Sequence, residues 1–128
     1  MRRLLAAAAV ALLAVPAAAQ VTPGADCAAL KNPGEAARCY DRLKAAAQAE
    51  LDETERKIAA KLADPKAKAA YQAAAKAWAE YRDKECAFET GGAGGTGLSI
   101  CLIDKTGSRV EELARQLDCP AGDPTCVH

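Results

Sequence analysis

The stretch that most constrains this fold is Trp78-Ala79-Glu80-Tyr81-Arg82-Asp83-Lys84-Glu85-Cys86-Ala87-Phe88. It holds the only Trp, the only Phe, one of three Tyr and one of six Cys in the chain. On a helix, Trp78, Tyr81, Glu85 and Phe88 recur at steps of three and four and so share one face. Aromatic side chains bury roughly 150–250 Å² each, so in a chain with 4% aromatic residues this face is expected to dominate the core. Cys86 then ties the end of that face to another element.

The pattern on either side is helical. Asn32-Pro33-Gly34-Glu35 reads as a helix start, with Asn as N-cap, Pro in the first turn and Glu three residues after the cap. Leu43, Ala47, Leu51, Thr54, Ile58 and Leu62 then step by three or four, which predicts a first long helix from about Pro33 to Ala63. At 1.5 Å per residue it is about 45 Å long. Asp64-Pro65 ends it and starts a second helix, Asp as N-cap and Pro at the first position. So short a connection predicts an antiparallel return. The alanines at 67, 69, 70, 73, 74, 75, 77 and 79 favour that helix and allow close approach of a neighbour.

Five glycines between Gly91 and Gly97 are expected to stop the second helix in a flexible loop. Leu98 to Ile103 reads as a short helical turn. Ser108-Arg109-Val110-Glu111 matches a capping box, and Val110, Leu113, Ala114 and Leu117 form the stripe of a short third helix. Gln20 to Leu30 is expected to be an extended arm, and residues 120–128 a loop-like tail. The fold class is therefore all-α: a long antiparallel helical hairpin plus a short third helix.

Residues 1–19 are read as a signal peptide rather than fold. Arg2-Arg3 is a basic n-region, Leu4 to Val15 an apolar h-region, and Ala17-Ala18-Ala19 a small-residue cleavage site before Gln20. The apolar run falls short of the roughly 20 residues that span a bilayer, and Asp26 before Cys27 is wrong for lipid attachment. The expected product is soluble, periplasmic or secreted. Without Arg2 and Arg3, the 17 basic residues drop to 15 against 17 acidic ones. That balance argues against nucleic acid and anionic membrane as partners.

Alanine buries little area, so the core is thin, and six cysteines in an exported chain read as three disulfides that compensate for it. Six cysteines allow 15 connectivities, and sequence does not fix one. Proximity favours Cys27–Cys39 at the start of the first helix, Cys86–Cys101 across the glycine run and Cys119–Cys126 in the tail. Metal binding and redox chemistry are the rival uses. They lack a C-x-x-C motif, and the only histidine is the last residue, His128. No cofactor or metal is expected.

From Cys27 to about Leu117 the sequence resembles the lysozyme inhibitor LprI-like family. The residues that carry the likeness are Cys27 and Cys39 before a long helix, then Ala77-Trp78, Tyr81-Arg82-Asp83 and Glu85-Cys86. A Gly-Gly-containing loop, Cys101, and Thr106 with Arg109 leading to Leu113 complete it. The order and spacing are specific where no single piece is. Ala75 stands where the family often has Gln, Asp52 where it has Asn after Leu51, and Cys119 and Cys126 lie outside the shared pattern. The resemblance implies an LprI-like domain over residues 20–119 that binds and inhibits lysozyme by steric blocking. The alternatives are a non-catalytic cell-envelope interaction module with another envelope protein as partner, or an envelope-stress or small-ligand role.

Of the motif residues, Trp78, Tyr81 and Phe88 are expected in the core. Arg109 is expected to pair with Asp83, and Arg82 to reach Glu85, Glu89 or solvent. The run Gly91, Gly92, Gly94, Gly95, Thr96 and Gly97 is first a connector. Its other reading is a disulfide-anchored loop that enters a partner's cleft. Glu50, Asp52, Glu53 and Glu55 form an acidic run that a basic lysozyme could meet, although such runs are usually solvated faces. An enzyme is not expected: the chain lacks a usable His, a nucleophile beside a base, and a phosphate-cradling glycine motif followed by Lys.

Overall fold

The structure is a computed structural model that describes residues 24–120 together with 123 and 126. The proposed signal peptide and its cleavage site lie outside the described residues. The chain forms four helices there, α1 (Ala25–Ala28), α2 (Pro33–Lys61), α3 (Pro65–Glu89) and α4 (Thr96–Leu117), with no strands among the described residues. The class is all-α.

Both long-helix starts follow from local chemistry. The Asn32 carboxamide oxygen accepts from the backbone N–H of Gly34 (2.9 Å) and Glu35 (3.2 Å), with Pro33 in the first turn. Asp64 does the same for Lys66 (3.1 Å) and Ala67 (3.3 Å) ahead of Pro65. Each cap satisfies N–H groups that no helical carbonyl reaches, a contribution of typically about 1 kcal/mol. Pro65 also holds Asp64 extended, at φ −76° and ψ 122°, so α2 cannot run through it. At the other end of α3, Gly92 N–H bonds to Ala87 C=O (2.7 Å) and Gly91 N–H to Phe88 C=O (3.0 Å). This is a Schellman closure with Gly91 at φ +63°, a conformation that favours glycine.

α3 returns antiparallel to α2, its Arg82 reaching Gln48 while Lys68 and Tyr71 stand across a cleft from Ala59 and Ala60. α4 then runs antiparallel to α3 and so parallel to α2. Ile103 clusters with Tyr40, Leu113 with Leu51 and Ile58, and Lys61 Nζ donates to the Leu117 carbonyl. α4 packs more extensively on α2 than α3 does. One core cluster is Cys27, Tyr40 and Ile103, backed by Cys39 and Leu43. The other is Leu51, Ile58 and Leu113, backed by Tyr71, Trp78, Val110 and Leu117. Full burial of a Leu or Ile contributes roughly 1.5–3 kcal/mol.

The disulfides are Cys27–Cys39, Cys86–Cys101 and Cys119–Cys126, the sequential pattern. A closed loop of 15 residues, as in Cys86–Cys101, contributes on the order of 3 kcal/mol by restricting the unfolded chain.

Three expectations are corrected. The third helix is not short: α4 is continuous over 22 residues, so Thr96 and Gly97 belong to its first turn and Ser108 is mid-helix. Its buried stripe Ser99, Ile103, Thr106 and Leu113 outweighs the roughly 1 kcal/mol each that Gly97 and Gly107 cost inside a helix. The arm before Asn32 is not extended throughout but makes the turn of α1, which buries Cys27. The inward side of α3 is Trp78, Arg82 and Cys86 rather than Trp78, Tyr81, Glu85 and Phe88, and both Tyr81 and Phe88 are exposed. The Cys86–Cys101 bond requires Cys86 to face α4, and each one-residue shift in phase turns the face by about 100°.

Candidate functional site

The motif residues of α3 and α4 meet at one station. Arg82 is only 9% exposed and is the one charged side chain among the buried residues described. Its Nη1 donates to Gln48 Oε1 on α2 (2.8 Å) and to Thr106 Oγ1 on α4 (3.0 Å), so a single guanidinium joins all three long helices. Its Nε donates to Asp83 Oδ1 (2.9 Å). The Trp78 ring has the Arg82 guanidinium 5.3 Å and the Arg109 guanidinium 5.5 Å from its centroid, both in cation–π range.

The expected Arg109–Asp83 pair does not form. Asp83 bonds to Arg82, its own neighbour, and Arg109 Nη1 instead pairs with Glu112 (2.7 Å) one turn along α4. Nor does Arg82 reach Glu85, Glu89 or solvent, because α3 is turned to point it between the helices. The structure thus brings Trp78, Arg82, Asp83, Thr106 and Arg109 together. Gln48 completes the set, and no pattern in the sequence marks it.

Tyr81 departs from that station and lies outside. Its hydroxyl hydrogen-bonds Glu85, and Lys105 bridges Glu85 (3.0 Å) and Glu89 (3.1 Å). The Tyr81 hydroxyl and the Lys105 ammonium hold the Glu85 carboxyl below its ordinary range, and the same hydrogen bond raises Tyr81. The turn Gly91–Gly95 follows directly. A Cβ placed at Gly91, Gly92, Gly94 or Gly95 would meet nothing within 4 Å, so this end of the molecule is low and open.

The acidic run on α2 is partly neutralised. Glu53 pairs with Arg56 and Lys57, which lowers its carboxyl, and Asp52 accepts from Gln48. Glu55 differs: burial first, then the nearby Asp52 carboxylate, push its pKa up. It lines an open cleft of about 680 Å³ between α2 and α3, together with Tyr71. Burial likewise raises Tyr71, whose hydroxyl has no hydrogen-bond partner among the described residues. Among the described residues no group of three His, Cys, Asp or Glu could hold a metal ion, and no cysteine is free. No helix of the described residues is long and apolar enough to cross a membrane.

These features define a class: a small, disulfide-stapled helical domain whose polar motif is spent on joining helices and whose free end offers a surface. Residues 27–113, more than half of the chain, match the family described as lysozyme inhibitor LprI, and the chain belongs to that family. It is a family of inhibitors rather than catalysts. No curated protein and no solved structure gives a match.

Proposed function

We propose that this protein is exported and inhibits lysozyme by binding over its substrate cleft, with no catalytic step of its own. The observation that carries this reading is the family match over residues 27–113, from the first disulfide into α4. The free surface at the α3–α4 turn supports it: that turn is anchored by Cys86–Cys101, and no side chain stands over the glycines. The signal-peptide pattern before Gln20 supports delivery to the periplasm or medium.

A second reading, a non-catalytic envelope module with a different protein partner, draws on the internal use of the motif. Trp78, Arg82, Asp83, Thr106 and Arg109 contact one another or their neighbours, so folding alone accounts for them.

The test is inhibition of purified c-type and g-type lysozymes by oxidised residues 20–128. A variant with Gly91–Gly95 replaced by a short rigid turn runs beside it. Inhibition by the parent, lost in the variant at unchanged helicity, supports blocking through that turn. No inhibition of either enzyme at tens of micromolar, with all three disulfides confirmed, overturns the lysozyme reading and leaves the envelope module.

A further inference from the structure

Phe88 is the chain's only Phe, and it is 84% exposed. It belongs to neither core cluster. The cause is the phase of α3: with Cys86 held inward by its disulfide, a residue two positions on lies about 200° around the helix. Tyr81, two turns earlier on the same side, is 57% exposed, and Ile100, beside the disulfide partner Cys101, is also exposed. Isolated exposed apolar residues are ordinary. Here Phe88 and Tyr81 share one side of α3 beside the open glycine turn, in a chain with 4% aromatic residues.

The surroundings say what kind of partner fits. The C-terminal part of α3 carries Glu80, Asp83, Glu85 and Glu89 against Lys84, the inward Arg82 that pairs with Asp83, and Lys105 of α4 that bridges Glu85 and Glu89, so the surface is mixed in charge. The Tyr81 hydroxyl and the Lys105 ammonium hold the Glu85 carboxyl below its ordinary range. The glycine turn next to Phe88 has no side chain to hold a partner's backbone away. An aromatic anchor with a polar rim is the usual anatomy of a protein–protein hot spot, and among these rim carboxylates Glu80 is the one outside those ion pairs, a charge that suits a basic partner. Lysozymes of the c type are basic proteins.

We propose that Phe88, with Tyr81 on the same side of α3, is the anchor by which this chain docks on lysozyme, the glycine turn letting the enzyme's backbone close over it. This rests on the lysozyme reading above and names the contact that would serve it. Glu80, Asp83 and Glu89 contribute the polar rim.

The test measures binding and inhibition of a c-type lysozyme by the oxidised parent (residues 20–128), Phe88→Ala, Phe88→Trp and Leu30→Ala. Leu30 is an exposed apolar residue of the N-terminal segment. The mass of each species in solution is measured as well. Loss of a central aromatic anchor weakens binding on the order of thirtyfold. Phe88→Ala is therefore expected to weaken both binding and inhibition by that factor with melting unchanged. Phe88→Trp and Leu30→Ala are expected to stay near the parent. Equal inhibition by the parent and Phe88→Ala overturns the anchor and leaves the lysozyme reading intact. A parent that neither binds nor inhibits overturns both. A parent dimer that Phe88→Ala dissociates without loss of inhibition overturns the anchor in favour of self-association.

Discussion

Replacing Arg82 by Ala is the perturbation that most directly tests how the three long helices are held together. Arg82 Nη1 bonds to Gln48 and Thr106, and the guanidinium lies 5.3 Å from the Trp78 ring centroid. A hydrogen bond from a charged donor contributes roughly 1.5–3 kcal/mol, and a partly desolvated cation–π contact about 1 kcal/mol. The Thr106 hydroxyl, in a residue only 3% exposed, would lose its partner. Water entering the gap would satisfy part of the loss at Gln48, which is not fully buried. The sum expected for Arg82→Ala is about 3–4 kcal/mol, a large part of the 5–15 kcal/mol typical of a whole domain. Thr106→Val removes one acceptor and is expected to cost about 1–2 kcal/mol, with Gln48 still in place. The double variant should fall short of the sum by about 1 kcal/mol, since both changes delete one bond. Asp83→Asn is the control: its side chain is 61% exposed, so it is expected to change stability by less than about 1 kcal/mol. The assay is urea unfolding of the oxidised protein followed by far-ultraviolet circular dichroism. An Arg82→Ala variant within about 0.5 kcal/mol of the parent, or a cycle with no coupling, would refute the reasoning.

Two further outcomes follow from local geometry. Gly91→Ala is expected to destabilise by about 1 kcal/mol because Gly91 sits at φ +63°, whereas Gly94→Ala, with no positive φ and open space around it, should be neutral or slightly stabilising. Equal effects at the two positions in the same urea assay would count against the Schellman closure of α3. Glu55 has a folded-state pKa raised above its ordinary value of 4.5 by burial and Asp52. Its ionised form is thus disfavoured in the native state, and that penalty disappears as pH falls below the unfolded value. Glu55→Gln should accordingly raise the urea midpoint at pH 7 and leave it unchanged near pH 3.5. A gain equal at both pH values would show that ionisation is not the cause.

The helix starts were legible because they are written in short range. Asn32-Pro33 and Asp64-Pro65 fix φ and offer an acceptor within three residues, and both caps form where those signals stand. The sequential disulfides were favoured by proximity and are the ones formed. α4 was less legible, since Gly97 and Gly107 read locally as interruptions. What carries the helix past them is burial on α2, which no window of sequence contains.

The candidate site divides the same way. Sequence placed Trp78, Arg82, Thr106 and Arg109 in one motif but misassigned their contacts, because Trp78-Tyr81-Glu85-Phe88 and Trp78-Arg82-Cys86 are equally good helical faces. Steps of three and four residues cannot choose between two phases about 100° apart. By itself, then, the sequence determined the helical class, the Pro-marked boundaries and the need for covalent staples, all consequences of neighbours along the chain. The tertiary structure decided which face of α3 turned inward. Once Cys86 met Cys101 and Arg82 found acceptors on α2 and α4, Tyr81 and Phe88 were left on the surface.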